Sequence, residues 1–476
     1  MKKVKLHILI ITVVCLGLGS CGDWLDVRPK LSIDEELLFS EEQGYKEALT
    51  GIYMSMGNAS LYGRELMYGI LDGLAQRYSI YTQYTDELNY KFPSTRNEGT
   101  TAAIWSKSYS VIANINNLLH WLEKKGREVV LTDGYFDIIK GEALGLRAFL
   151  HFDLLRMWGP IYASNSGDVS IIYREDFSRN DQPLEPATQI VGKIIADLEE
   201  AEELLKDDAM QISFPASDGV SGFLDFRFKR MNKFAVKALL ARVYMYTGDK
   251  VNAMARAKEV IDATSGGSNL RFRLVTDNSA DRIMSTELIF SLSLKEFDKQ
   301  VDNDFQRSTN SLYYAVDKQH IYDIFDTDRD GFNDIRMREG QGFLISSEGA
   351  VTVKYNQTGL FSSGVKNTVP LIRLPEMYYI VAECTSDLAE ATDMINTIRS
   401  ARGLDIVTLF GNDEERMAAI EKECRKEFYA ESQLWYFYKR LAYKRFTGYP
   451  ATLPDLTEAN YRFNIPEDEI VLGKTN

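Results

Sequence analysis

"KFAVKALLARVYMYTGDKVNAMARAKEVI", from Lys233 to Ile261, carries the strongest architectural signal in this 476-residue chain. Leu240, Tyr244, Gly248 and Ala253 have the spacing of a repeating helix–turn–helix unit. Gly248 can adopt the left-handed conformation that lets a chain leave its first helix, and Asp249 can cap the second. Ala253 is small enough for the two helices to approach closely. Ala241 stands where such units often carry glycine, so the match is partial. One unit cannot bury its apolar face alone, so further helix pairs must stack on it.

The spacing is that of a tetratricopeptide unit, and working outward finds its partners. Residues 135–158 pair with 186–206, and 375–384 pair with 387–401. Tyr45, Ala48, Leu49, Ile52, Tyr53 and Met56 form one face of an earlier helix, with Ser40 and Gln43 as its capping box and Gly57-Asn58 as its end. A second helix is expected over Gly63–Arg77. A third starts near Thr101 and turns Ile104, Tyr109, Ile112, Ile115, Leu119 and Leu122 inward. A fourth runs from Tyr135 to Gly159-Pro160. Pro186 opens a fifth, striped by Ile190, Ile194, Ile195, Leu198, Ala201 and Leu205. Residues 160–185, 207–231 and 265–372 are richer in Gly, Ser, Asn and Asp, with short strands at Leu288–Ser293 and Ala350–Tyr355. The fold class is mostly α: tetratricopeptide-like helix-turn-helix repeats forming a scaffold, with inserted loops and small β elements that carry recognition.

The amino-terminal segment has the order of an export signal. Lys2, Lys3 and Lys5 precede an apolar run from Leu6 to Leu18, too short to span a bilayer comfortably. Leu18-Gly19-Ser20-Cys21 resembles a bacterial lipobox, which implies cleavage of residues 1–20 and acylation of Cys21 into outer-membrane lipid. Loss of that segment removes three lysines and no acids, taking the net charge from −14 to −17. Such an acidic surface opposes nucleic acid. Once Cys15 leaves and Cys21 is lipidated, Cys384 and Cys424 remain. Both fall in helical patterns and read as small buried hydrophobes.

A sequence resemblance joins these features. The start "SCGDWLDVRP", the helix "LRAFLHFDLLRMWGPI" (Leu146 to Ile161), "IRLPEMYYIVAEC" (Ile372 to Cys384), "INTIRSARGL" (Ile395 to Leu404), "IEKECRKEFYAESQLWYFYKR" (Ile420 to Arg440) and the late "NIPEDEI" resemble, in order, the motifs of SusD/RagB outer-membrane lipoproteins of Bacteroidetes. Tyr436 to Tyr438 depart from the usual Asp-Leu before Lys439-Arg440, and "LGKTN" lacks the usual Asn-rich finish. The resemblance implies one SusD-like body over 21–476, with an N-terminal region of about 21–230 and a C-terminal SusD/RagB region of about 231–476. It implies four tetratricopeptide-like pairs and a cell-surface protein that delivers a glycan, or sometimes peptides, to a SusC-like TonB-dependent transporter.

The residues themselves point to binding rather than catalysis. His120, His151 and His320 stand apart from any recognisable catalytic spacing, and there is no phosphate loop or HExxH. Aromatic residues make up 12% of the chain. Tyrosine suits sugars, because its ring covers an apolar CH face and its hydroxyl reaches the polar rim. "RYSIYTQYTDELNYKF" therefore supplies Tyr78, Tyr81, Tyr84, Asn89 and Tyr90 as candidate ligand contacts, and a second segment supplies Phe305, Gln306 and Arg307. Trp105, Trp158 and Trp435 sit in helical patterns and are read as core. Asp326, Asp328, Asp330 and Asp334 in "DTDRDGFND" imitate the start of a calcium loop, but Met337 stands where a bidentate glutamate is needed. Arg147, Arg373, Glu376, Glu383, Arg399, Arg425 and Glu427 look inward and are read as ion pairs between helices. The alternative to a glycan binder is a tetratricopeptide-like scaffold of the cell envelope holding a peptide or protein in its helical groove. A hydrolase with a carboxylate pair is a third reading.

Overall fold

The computed structural model describes residues 35–467 and 469, apart from 79–83, 85, 87–88, 92–94, 179, 209–221, 264–270, 306–316, 348 and 358–364. Cys21 and the signal segment lie outside the described residues. The principal helices are α1 (Glu42–Met56), α2 (Thr95–Trp121), α3 (Tyr135–Trp158), α4 (Ala187–Leu204), α5 (Lys233–Thr247), α6 (Lys250–Ile261), α7 (Phe297–Phe305), α8 (Lys318–Phe325), α9 (Leu374–Cys384), α10 (Leu388–Ala401), α11 (Asp413–Glu427) and α12 (Gln433–Arg440). α1 packs on α2, α2 on α3, and so on through α6; α6 then packs on α9, α9 on α10 and α10 on α11. The stack therefore contains the pairs α1/α2, α3/α4, α5/α6 and α9/α10.

The α5/α6 unit forms for the local reasons its sequence contains. Asn232 accepts from the Phe234 and Ala235 amides to cap α5, Gly248 turns at φ +85°, and Asp249 accepts from the Asn252 amide to cap α6. Buried Ala253 and Ala257 give α6 a small-residue face. α3 is the axis of the amino-terminal half, buried without a break from Gly141 to Trp158. Its glycines permit close contact: a Cβ on Gly145 would stand 2.6 Å from Met231 Cγ.

An all-buried helix must neutralise its own charges. Arg147 forms a fork on Asp197 at 2.7 Å to each oxygen and donates to Asn116 Oδ1 at 3.0 Å. Glu142 receives Arg227, Arg230 and the Tyr53 hydroxyl. A larger cluster ties the carboxy-terminal half together. Arg402 contacts Glu287 at 2.7 and 2.9 Å and Glu427 at 3.0 and 3.2 Å. Arg373 reaches Glu427, Glu431 and Glu287, and Arg336 reaches Asp334, Glu423 and Glu427. Burial alone would raise the pKa of Glu427, but Arg402, Arg373 and Arg336 outweigh it and hold the carboxyl well below its usual range. Arg399 pairs with Glu423, Arg242 with Glu376 and Arg440 with Glu383. Trp105, Trp158 and Trp435 are all core residues. Cys424 is buried, Cys384 is partly buried, and both are free thiols.

The strands are short and antiparallel: β1 (Val169–Ile171) with β2 (Glu185–Pro186), β3 (Leu288–Ser293) with β6 (Thr368–Arg373), and β4 (Phe343–Ser346) with β5 (Gly349–Thr352).

Three local expectations change. The Ser40 hydroxyl donates to Leu37 O at 2.7 Å and Gln43 bonds Glu47, so no capping box forms; Glu41 is the N-cap. The helix expected over Gly63–Arg77 contracts to Ile70–Leu74. Before it the chain folds back on itself through turns: a Cβ on Gly63 would stand 2.4 Å from Gly57 O, and one on Gly69 2.6 Å from Glu65 Cα. The strand expected over Ala350–Tyr355 shifts to Gly349–Thr352, paired with Phe343–Ser346.

Candidate functional site

The two sequence segments proposed for ligand contact meet in space. The Tyr78 ring lies 6.2 Å from Phe305 and 5.7 Å from Tyr429, both edge-on. Tyr68 lies 5.2 Å from Phe305 and 6.1 Å from Tyr355. Phe297 on the other end of α7 packs on Tyr355 at 5.4 Å. The result is one aromatic floor built from residues far apart in sequence.

Carboxylates beneath the floor hold its hydroxyls. Tyr68 donates to Asp304 at 2.8 Å, Tyr78 to Asp72 at 3.0 Å and Tyr84 to Glu65 at 2.6 Å. Tyr90 donates to Leu74 O at 2.7 Å and stacks on Tyr449 at 5.3 Å. Burial raises the pKa of all three carboxyls, that of Asp72 to about 7 despite Arg77 and the Tyr78 bond. The segment is held under strain as well. Gln76, Tyr84 and Tyr90 all have left-handed φ, at 55°, 61° and 51°, a conformation that persists in such residues only where the surroundings impose it.

These contacts correct the sequence reading. Tyr78, Tyr84, Tyr90 and Phe305 are buried, with exposures of 4%, 2%, 8% and 5%, so their rings support the surface from within and present no face to a ligand. The physical reason is that each tyrosine hydroxyl finds its partner inside. Asn89 is exposed at the edge of this region. Tyr81, Gln306 and Arg307 lie outside the described residues. Tyr68 belongs to the same cluster; it precedes the tyrosine-rich segment and carries no local signal of its role.

The acidic string is used differently from a calcium loop. Asp326 pairs with Lys422 at 3.3 Å and Lys426 at 3.2 Å. Asp330 pairs with Arg399 at 2.8 Å and accepts from the Asp405 amide at 2.9 Å. Asp334 is fully buried against Arg336, and Asp328 is exposed. Three of the four carboxylates thus face separate cations. Among the described residues no group of three metal-ligating side chains converges. The turn fastens the end of α8 to α10 and α11.

The space among the carboxy-terminal helices is small. Between α3, α5, α9, α11 and α12 lies a cavity of about 80 Å³ lined by Phe152, Tyr246, Tyr379, Tyr436 and Phe437. Ligand pockets for drug-sized molecules run to about 300–1,000 Å³. The cavity's charges are spent on one another, Arg242 on Glu376 and Arg440 on Glu383.

A stack of tetratricopeptide-like helix pairs bearing long inserted loops defines the class, a helical-repeat scaffold. Comparison with known proteins makes this specific. A family profile described as "Starch-binding associating with outer membrane" matches residues 23–245, and one described as "SusD family" matches residues 345–466. The chain belongs to the SusD/RagB family. It is 23% identical to SusD-like protein P38 of Formosa agariphila over 92% of this chain and 91% of that one. It is 24% identical to SusD-like protein P2 of the same organism, over 55% of this chain and 46% of that one. A SusD superfamily protein from Bacteroides thetaiotaomicron superposes with a TM-score of 0.71 at 20% identity, covering 91% of this chain and 98% of the other. A protein described as a laminarin-binding SusD-like protein superposes with a TM-score of 0.62 at 17% identity, covering 91% and 98%. No helix among the described residues is long and apolar enough to cross a membrane.

Proposed function

We propose that this chain is a cell-surface lipoprotein, anchored in the outer membrane through acylated Cys21, that binds a glycan and passes it to a SusC-like TonB-dependent transporter. It acts by binding and performs no catalysis. The observation that carries this reading is the convergence of Tyr68, Tyr78 and Phe305 on one aromatic floor, with exposed Asn89 in the same stretch of chain as Tyr78. Buried tyrosine–carboxylate bonds fix that floor in advance, and preorganisation is what a weakly binding sugar site needs. The family relationship and the laminarin-binding relative support the ligand class and suggest β-glucan as a first probe. The cavity of about 80 Å³ among α3, α5, α9, α11 and α12, with its charges paired internally, is too small to hold a peptide.

Affinity electrophoresis through gels cast with laminarin, starch, xylan or mannan tests the ligand class. One polysaccharide should retard the mature protein, and a Tyr81→Ala, Asn89→Ala double variant should be retarded clearly less. Equal retardation of the variant moves the site elsewhere; no retardation on any glycan removes the reading. Mass spectrometry of the membrane-extracted protein tests the anchor: acylated Cys21 as first residue is expected, and a retained, unmodified residue 1 contradicts it.

A further inference from the structure

A separate cavity opens beside α2. About 170 Å³ in volume, it is bounded by α2, by residues 172–178 after β1, and by Glu469. It is smaller than pockets for drug-sized ligands, about 300–1,000 Å³, and matches one small ring better than a chain.

Its outer wall is irregular backbone held in place by side chains. The Tyr109 hydroxyl donates to Ile172 O at 2.8 Å and accepts from Ile172 N at 3.2 Å. Asn116 Nδ2 donates to Arg174 O at 3.0 Å and Asp176 O at 2.9 Å. His151 Nε2 accepts from Arg174 N at 3.0 Å, and its Nδ1 bonds Arg147 O at 2.9 Å, which assigns the proton to Nδ1. The ring is fully buried and stacks on Tyr173 at 3.9 Å. The Tyr173 hydroxyl in turn bonds Asp197, the carboxylate gripped by Arg147. Anchors from α2, α3 and α4 thus replace strand pairing for this segment. Irregular backbone fixed so thoroughly presents its outward side chains in one arrangement.

Those side chains are Arg174, Asp176, Phe177 and Ser178. Phe177 is 44% exposed, and its ring meets His120 edge-on at 5.4 Å. A half-open ring held at its edge offers a face for an apolar CH surface. Asp176 holds the Ser178 hydroxyl at 2.9 Å and the Gln182 amide at 3.2 Å, and Arg174 gives Nη1 to Asn180 O at 2.6 Å; the remaining guanidinium N–H groups can donate, and the spare lone pairs of Asp176 and Glu469 can accept, around the same cavity. Two carboxylates against one guanidinium disfavour phosphate, sulfate or an acidic sugar. We infer that this cavity is a second carbohydrate subsite, which takes one neutral pyranose ring stacked on Phe177 with its hydroxyls bonded by Arg174, Asp176 and Glu469. The inference rests on the glycan-binding reading but uses different residues.

Saturation-transfer NMR on the mature protein with glucose, galactose, mannose, xylose and laminaritriose tests it, followed by titration with the best binder. Three proteins are compared: wild type, Phe177→Ala, and Asn89→Ala in the first candidate site. Loss of one stacking contact should weaken the ring's binding roughly fivefold to tenfold in Phe177→Ala. The same binding should survive in Asn89→Ala. Sugar binding that is unchanged in Phe177→Ala overturns the second subsite and leaves the first reading standing. Binding weakened in Phe177→Ala and retained in Asn89→Ala supports this subsite, whereas binding weakened only in Asn89→Ala assigns the sugar to the first site and overturns this one. Galacturonate or inorganic phosphate outcompeting the neutral sugars contradicts the assigned ligand. Absence of binding by every probe overturns both readings.

Discussion

Two irregular segments of this protein use aromatic side chains in opposite ways. Between residues 61 and 90, Tyr68, Tyr78 and Tyr84 turn inward and seat their hydroxyls on Asp304, Asp72 and Glu65. Between residues 172 and 178, Tyr173 is buried on His151 while Phe177 projects outward. The first segment is dense in tyrosine and the second is not. Aromatic abundance therefore marks where the fold needs large amphipathic wedges, and the partners of each hydroxyl decide whether a ring remains for a ligand.

The largest effect expected from this contrast is at Tyr78. Tyr78→Ala should cost about 3–5 kcal/mol, the range for emptying a buried aromatic site, and strand Asp72 without its hydroxyl donor. Urea unfolding measures it; a loss below about 1 kcal/mol would mean the ring is not part of the floor. Asp72 comes next. Its pKa is raised from 3.8 to about 7 by burial. The sign follows from linkage: stability from this group is complete below its unfolded pKa and is lost as pH rises through the folded one. Wild-type stability should therefore fall between about pH 4 and pH 7 through this group, by an amount on the order of a few kcal/mol. Asp72→Asn should flatten that part of the profile while still accepting from Tyr78. An unchanged slope would place the titration elsewhere.

On the second segment the effects shrink. Asn116→Ala removes both bonds to the 174 and 176 carbonyls and one partner of Arg147, and should cost about 1–3 kcal/mol. It should also speed amide exchange at Arg174 relative to the α3 core. Phe177→Ala should change stability by less than about 0.5 kcal/mol, as expected for a half-exposed ring. A larger loss would turn Phe177 into another buried wedge and erase the contrast.

The scaffold was legible in sequence wherever its determinants are local. Asn232, Gly248 and Asp249 specify the α5/α6 turn within a few residues, and the Leu288–Ser293 run forms the expected strand. The inward-looking charges were legible as charges, but their grouping was not: Glu287 meets Arg402 across 115 residues. The candidate site failed to read correctly for the same reason. Tyr68 and Asp304 are 236 residues apart, and no periodicity in 61–90 signals which ring turns inward. Residues 172–178 carry no pattern of their own, because Tyr109, Asn116 and His151 on distant helices define their path.

Isothermal titration of the mature protein with laminarin, starch, xylan and mannan oligosaccharides, and in parallel with a peptide pool, tests the central claim most directly. Saturable heat with a glycan is expected, at a Kd between about 1 μM and 1 mM for a few stacking contacts, and none with peptides. Saturable binding to peptides with no heat from any glycan would contradict that claim.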